Sequence, residues 1–112
     1  MTEDLFRHLR AHVGNKKMDE KIMAKEMKEL DERQQLLVIT MEECGELIQA
    51  CSKAIRCDDY HTNRTRRKLT EEVGDLQCMI ELMHEYDLIS WEDVHERVEV
   101  KKKKLKKWSN LI

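Results

Sequence analysis

Two short acidic runs in this chain share a pattern that could bind a metal ion: Glu42-Glu43-Cys44-Gly45-Glu46-Leu47 and Glu71-Glu72-Val73-Gly74-Asp75-Leu76. Four of the six positions are identical and one is a Glu/Asp exchange. On a helix, an acid three residues after another lies on the same side of one turn. Two such turns facing each other would form a cage of hard oxygen ligands suited to Mg²⁺.

The elements that must position these acids are helices, and their phase decides which acids point inward. At ~100° per residue with Glu42 at zero, Ile39, Ala50, Leu36, Leu47, Cys51, Cys44, Leu37, Ile48 and Met41 fill an arc of roughly 60° to 260°. Glu43, at ~100°, falls inside that arc and Glu46, at ~40°, on its edge. Glu42 points to the polar side with Gln49, Ser52 and Lys53. With Glu72 at zero, Leu82, Met79, Leu76, Leu69, Ile80 and Val73 span ~280° through zero to ~100°. Glu72 is central to that arc, Asp75 lies within it at ~300°, and Glu71 falls just outside. Glu43, Glu46, Glu72 and Asp75 are therefore expected on or beside apolar faces, where carboxylates are rare unless paired or metal-bound.

No strand-like alternation occurs anywhere. Apolar residues at helical spacing predict a short helix over 3–13, ended by Gly14-Asn15, and a second pattern at Met18, Ile22, Met23, Met27 and Leu30. Asp31 is a candidate cap for a helix over 32–56, the alternative being one continuous helix. Residues 57–63 form the internal loop, and a further helix covers 64–86. Ser90-Trp91-Glu92-Asp93 resembles a capping box opening a last helix over 91–108. At 112 residues the chain is expected to be one domain, 1–112 with its core at about 30–108. The absence of proline and the three glycines favour long helices with short connections. An apolar fraction of 40% beside 39% charged residues suits thin helices that complete their burial in an oligomer. Gly45 and Gly74, expected to point away from the acids, would mark its close approaches.

A net charge of −2 gives no electrostatic footprint for nucleic acid. No signal core or 18-residue apolar stretch appears, so neither secretion nor membrane insertion is expected. The four cysteines form no C-x-x-C pair and are read as reduced thiols of a cytoplasmic protein.

Plainer readings compete. Glutamates on helices are usually solvated, and an internal ion-pair network could satisfy inward acids. The lysines at 101–104, 106 and 107 suit a solvated helix end that complements the macrodipole. Their functional reading is contact with phosphate oxygens. His8 and His12, at i and i+4, lack a third ligand. Glu81-x-x-His84 and Glu92-x-x-His95 are similar to a di-iron motif, but Glu81 lies ~180° from Glu72 and cannot join the same cage. The methionines suit adaptable core packing.

The paired acidic runs resemble those of the MazG-like nucleoside triphosphate pyrophosphohydrolases, an all-α superfamily with an E-E-x-x-E run followed by E-x-x-D. Here the runs are Glu42-Glu43-Cys44-Gly45-Glu46 and Glu72-Val73-Gly74-Asp75, 25 residues apart. The resemblance covers about residues 30–108, and the length matches compact single-domain forms, including those carried by phages. It implies an antiparallel helical bundle with its active site between two long helices, completed by assembly into a homodimer or homotetramer. It also implies Mg²⁺-dependent cleavage of a (d)NTP between the α- and β-phosphates, with Mn²⁺ as a substitute ion. Carried over by position, Glu43, Glu46, Glu72 and Asp75 would ligate metal, and Glu42 would support them or help place the attacking water. Lys101, Lys104 and Trp108 are the expected substrate contacts. The family's last helix often pairs a basic residue with Asn four residues later; here Leu105 follows Lys101, and Asn110 follows Lys106. Met79 stands where some relatives stack the base on an aromatic ring, leaving Trp108, Tyr60 or the N-terminal helix for that contact. The alternative function is a non-catalytic helical oligomeric interaction module.

Overall fold

The computed structural model describes residues 20–112, with side chains from residue 24. The helix expected over 3–13 and the His8/His12 pair lie outside the described residues. The described residues are all-α, with four helices and no strand: α1 (Glu20–Met27), α2 (Glu32–Arg56), α3 (Asn63–Glu85) and α4 (Trp91–Trp108). The chain divides into two compact units, Met1–Ile80 and Glu81–Ile112, with the boundary inside α3. No helix among the described residues is long and apolar enough to cross a membrane.

In the first unit, α1 ends in a tight turn, and Asp31 restarts the chain as a separate helix rather than letting the two run on. Its Oδ1 accepts from the Gln34 backbone N–H at 2.8 Å, and Gln34 Oε1 accepts from the Asp31 N–H at 3.1 Å. This reciprocal pair satisfies two amide groups that have no partner inside the helix. The Gln35 side chain also donates to the Leu30 carbonyl at 2.9 Å.

The far end of α2 is closed by Asp58, in the left-handed region at φ 47°. Asp58 N–H donates to Ile55 O at 3.1 Å and Asp59 N–H to Ala54 O at 3.2 Å, the two bonds of a Schellman motif. Thr62 then opens α3: its Oγ1 accepts from the Thr65 N–H at 3.3 Å, and its hydroxyl donates to Asp59 Oδ2 at 3.0 Å. These Thr62 hydrogen bonds, with help from Thr65 and the neighbouring Arg64, hold the Asp59 carboxyl below its usual range. The short connection returns α3 along α2. The core includes Leu30, Leu36, Val38, Ala50, Ala54 and Met79, with Gly45 also buried.

The wide apolar arc on α2 is only partly buried. Leu37, Met41, Cys44, Ile48, Cys51 and Ile55 are all exposed, Ile48 and Ile55 at 67% each. Their spacing of 4, 3, 4, 3 and 4 is that of a coiled-coil seam. An arc of about 200° is wider than the face of roughly 100° that a surface helix turns to its core, so α2 carries a second apolar face. On α3, Val73 is likewise exposed. Gly45 is buried, whereas Gly74 faces open space, with nothing within 4 Å of an added Cβ.

In the second unit, a second Schellman motif closes α3, with Asp87 at φ 60°, Asp87 N–H donating to His84 O and Leu88 N–H to Met83 O. Ser90 Oγ caps α4 by accepting from the Asp93 N–H at 3.4 Å. The α4 helix has no buried residue. Trp91 stacks on His84 at 5.1 Å and on His95 at 6.2 Å between ring centroids. Both histidines of the iron-like motifs thus stack on one indole.

The α2 cap gives a direct test. Asp31→Ala should cost about 1 kcal/mol of stability, whereas Asp31→Asn should retain most of it. Thermal melts of the two variants check this, and equal losses would show that the cap contributes nothing.

Candidate metal centre

The residues that could hold an ion come from the middle of α2 and the middle of α3, both in the first unit. Carboxylate oxygens of Glu43, Glu72 and Asp75, one from each, lie within 4.8 Å of one another. Glu43 is half-buried, Glu72 buried and Asp75 exposed at the rim. The expectation that all four acids lie on or beside apolar faces therefore fits Glu72 best. Glu46 is buried, and both it and Glu42 act electrostatically on Glu43, but neither belongs to the close group of three.

Glu72 is only 4% exposed. Its Oε1 receives Lys68 Nζ at 2.8 Å, one helical turn earlier. Its Oε2 is buried and has no hydrogen-bond partner among the described residues. An unsatisfied buried acceptor costs about 1–3 kcal/mol, more when charged. Lys68 is a partner that the phase reading of the acids did not identify, although its i, i+4 spacing to Glu72 is visible in the sequence. The ion-pair alternative is thus partly realised, since one oxygen of Glu72 is paired. It leaves the second oxygen, and the other two acids of the group, to be accounted for.

Burial is the main influence raising the Glu43 carboxyl above its ordinary 4.5, followed by the charges of Asp75, Glu42, Glu72 and Glu46. Converging carboxylates of like charge disfavour one another's ionisation. A divalent cation removes that conflict, and three carboxylates supply the hard oxygen donors that Mg²⁺ and Mn²⁺ prefer. The unpaired Glu72 oxygen fits the same purpose. The residues present therefore fit a divalent ion, with Glu43, Glu72 and Asp75 as its holders and Glu46 adjoining.

The expected substrate residues of the last helix lie in the second unit. Lys101 and Lys104 are exposed, as is Trp108. Lys101 Nζ sits 5.4 Å from the centroid of the Trp108 ring, a cation–π contact that already engages both side chains. Met79, at the position where an aromatic was considered, is buried in the core.

No family model, curated protein or solved structure matches the chain.

The strain at Glu43 predicts a trade between stability and ion binding. Because its folded pKa is raised, the ionised carboxylate opposes folding once pH rises past 4.5 toward the folded value. Glu43→Gln should therefore melt higher than wild type in metal-free neutral buffer. The gap should close as pH falls below 4.5, where the wild-type carboxyl is protonated in both states. Millimolar Mg²⁺ should then favour the wild type, since an ion bound to the folded form alone stabilises it by about 2.7 kcal/mol at a hundredfold excess over Kd. A Glu43→Gln protein that is less stable than wild type without metal at neutral pH would refute this account.

Proposed function

We propose that this chain is a MazG-like nucleoside triphosphate pyrophosphohydrolase, converting a (d)NTP to the nucleoside monophosphate and pyrophosphate. The observation that carries the reading is the meeting of Glu43, Glu72 and Asp75, together with a buried Glu72 oxygen that has no partner among the described residues. These residues belong to the two acidic runs on which the family resemblance rests. Mg²⁺ or Mn²⁺ held there would neutralise the triphosphate and stabilise the charge that develops on its oxygens.

The chain's own residues then have distinct tasks. Glu72, fixed on one side by Lys68, offers a carboxylate whose position is set before ligand arrives. Glu43 and Asp75 complete the donor set, and Glu46 supplies a further carboxylate beside Glu43. Glu42, close enough to act electrostatically on Glu43, would orient the attacking water. In the reaction, the water oxygen bonds to the α-phosphorus and gives up a proton to solvent, and the bond from that phosphorus to the bridging oxygen breaks. Pyrophosphate is the leaving group.

The same reading includes a homodimer or homotetramer. The exposed seam on α2 favours it, because Leu37, Met41, Cys44, Ile48, Cys51 and Ile55 carry no charge and would be covered by the same stripe on a second copy. The seam alone would equally serve a non-catalytic oligomeric module. That module has no use for the unpaired Glu72 oxygen, which favours the enzyme.

The decisive experiment incubates the protein with a panel of nucleotides and Mg²⁺ or Mn²⁺, separating pyrophosphate from phosphate as product. Pyrophosphate and monophosphate are expected in equal amounts. Glu72→Gln and Asp75→Asn should each lower turnover by at least roughly 10²-fold, while Glu71→Gln, outside the group of three, should be mild. No pyrophosphate from any nucleotide would overturn the reading. Sedimentation tests the assembly separately. Ile48→Lys should shift wild-type oligomer to monomer, and a wild-type protein that is already a fully active monomer would exclude that part.

A further inference from the structure

A cleft of about 780 Å³ lies between the C-terminal half of α2 and the first half of α3, wholly within the first unit. Among the described residues, the cations that line it are Lys53 from α2 and Arg64, Arg67 and Lys68 from α3, and the acids are Glu46, Asp59 and Glu71. Asp59 is held by Thr62, accepting from its hydroxyl and backbone N–H. Glu46 is the buried carboxylate that adjoins the acidic group.

The charges change sign along the two helices in parallel. On α3, Arg64, Lys68 and Glu72 follow at i, i+4 and i+8, with Asp75 one turn further on. On α2, Glu43, Glu46, Ala50 and Lys53 follow at i, i+3, i+7 and i+10. Each set keeps to one side of its helix. Both begin in the cluster that fits a divalent ion and end in cations that line the cleft. At 1.5 Å per residue, the run from Glu72 to Arg64 covers about 12 Å and that from Glu43 to Lys53 about 15 Å. That is room for a chain of phosphates rather than one.

We propose that this cleft is a polyphosphate site, in which Lys53, Arg64 and Arg67 take the phosphate oxygens furthest from the acidic cluster. This deepens the pyrophosphohydrolase reading and, for its place beside the ion-binding acids, rests on it. The cleft would hold the pyrophosphate end of the substrate, the part that leaves. Arginine suits this task because its planar fork can donate two parallel hydrogen bonds to phosphate oxygens. Lys68 joins the two regions, since it lines the cleft while its ammonium contacts Glu72. Arg66, between Arg64 and Arg67 in sequence, is exposed but does not line the cleft.

The test is calorimetric titration of the full chain with inorganic tripolyphosphate in Mg²⁺ buffer. Wild type should bind, and Arg64→Ala combined with Arg67→Ala should weaken binding about tenfold or more, as loss of charge-assisted hydrogen bonds implies. Lys53→Ala should weaken it less, and Arg66→Ala, removing the same charge outside the cleft, should leave it unchanged. All four positions are exposed, and unchanged melts would show that the variants fold. Failure of wild type to bind, or equal binding by wild type and the Arg64/Arg67 double variant, overturns the proposal. So does an equal loss in Arg66→Ala, which would mean diffuse charge attraction. Pyrophosphate release from nucleotides is measured separately. Binding that follows the cleft variants without turnover of any nucleotide would retain the polyphosphate site and reject the enzyme. Turnover whose KM ignores Arg64 and Arg67 would retain the enzyme and reject the site.

Discussion

The repulsion among carboxylates at the middle of the α2–α3 pair is the constraint on which the rest of the first unit depends. Glu43 and Glu72 are withdrawn from water to different degrees, Asp75 stands at their rim, and Glu42 and Glu46 add charge beside them. Left alone, such a group would drive the two helices apart. Lys68 offsets part of the conflict at Glu72, and apolar packing acts alongside it. Leu36, Val38, Ala50, Ala54 and Met79 supply that packing in the same unit. The Schellman turn at Asp58 and the Thr62 cap shorten the connection, so closing the hairpin fixes few residues outside the helices. Folding thus holds together charges that local electrostatics would separate, as expected where an ion or ligand later supplies the missing countercharge.

Small residues reconcile the core with the site. Ala50 and Ala54 lie on the side of α2 that carries Glu46 and lines the cleft. Larger side chains there would fill the space that cations from α3 now border. The cost is a thin core, because each alanine buries little apolar surface. The other side of α2 holds much of the helix's larger apolar residues, and they are exposed. The helix therefore divides its apolar surface between an inner face limited by the acids and an outer seam free of charge. Assembly through that seam would stabilise α2 without altering the spacing of the carboxylates, which separates the stability of the oligomer from the geometry of the site.

Much of this was legible in the sequence because helical periodicity and acidic spacing are local signals. Glu32–Arg56 coincides with the expected 32–56, Asn63–Glu85 lies one residue earlier at each end than 64–86, and Trp91–Trp108 matches 91–108. The inward placement of Glu72 followed from phase alone. What was not legible depended on the neighbours of each helix. A 200° apolar arc does not reveal which half a partner helix will cover, so the exposure of Leu37, Met41, Ile48 and Ile55 could not be read from it. Asp58 and Asp87 take left-handed conformations usually marked by glycine. Aspartate in a loop is too common to signal such a turn. Lys68 was visible at i, i+4 from Glu72, but only the burial of Glu72 makes that spacing consequential.

The cations differ in setting as well as in density. Residues 101–107 hold the richest lysine run, and it attracts attention in the sequence. The lysines of that run are exposed, and there Lys101 lies over the Trp108 ring while Lys102 approaches Glu99 at 3.8 Å. Charges on such a surface are well hydrated, and mobile ions screen them over about 8–10 Å at ordinary ionic strength. Arg64, Arg67, Lys68 and Lys53 are fewer and are also exposed, but they border one concave space whose walls hold a buried carboxylate. Were an anion to enter that space, several cations would reach it at once, where the open run presents them singly. The same reasoning applies to the acids. Among the chain's 23 acidic residues, Glu43, Glu72 and Asp75 stand out among the described residues because oxygens from the three lie within 4.8 Å of one another and Glu72 is buried. A net charge of −2 conceals this separation of signs along a single helical hairpin, and that separation, rather than the overall balance, is the feature on which the proposed metal and phosphate sites both rest.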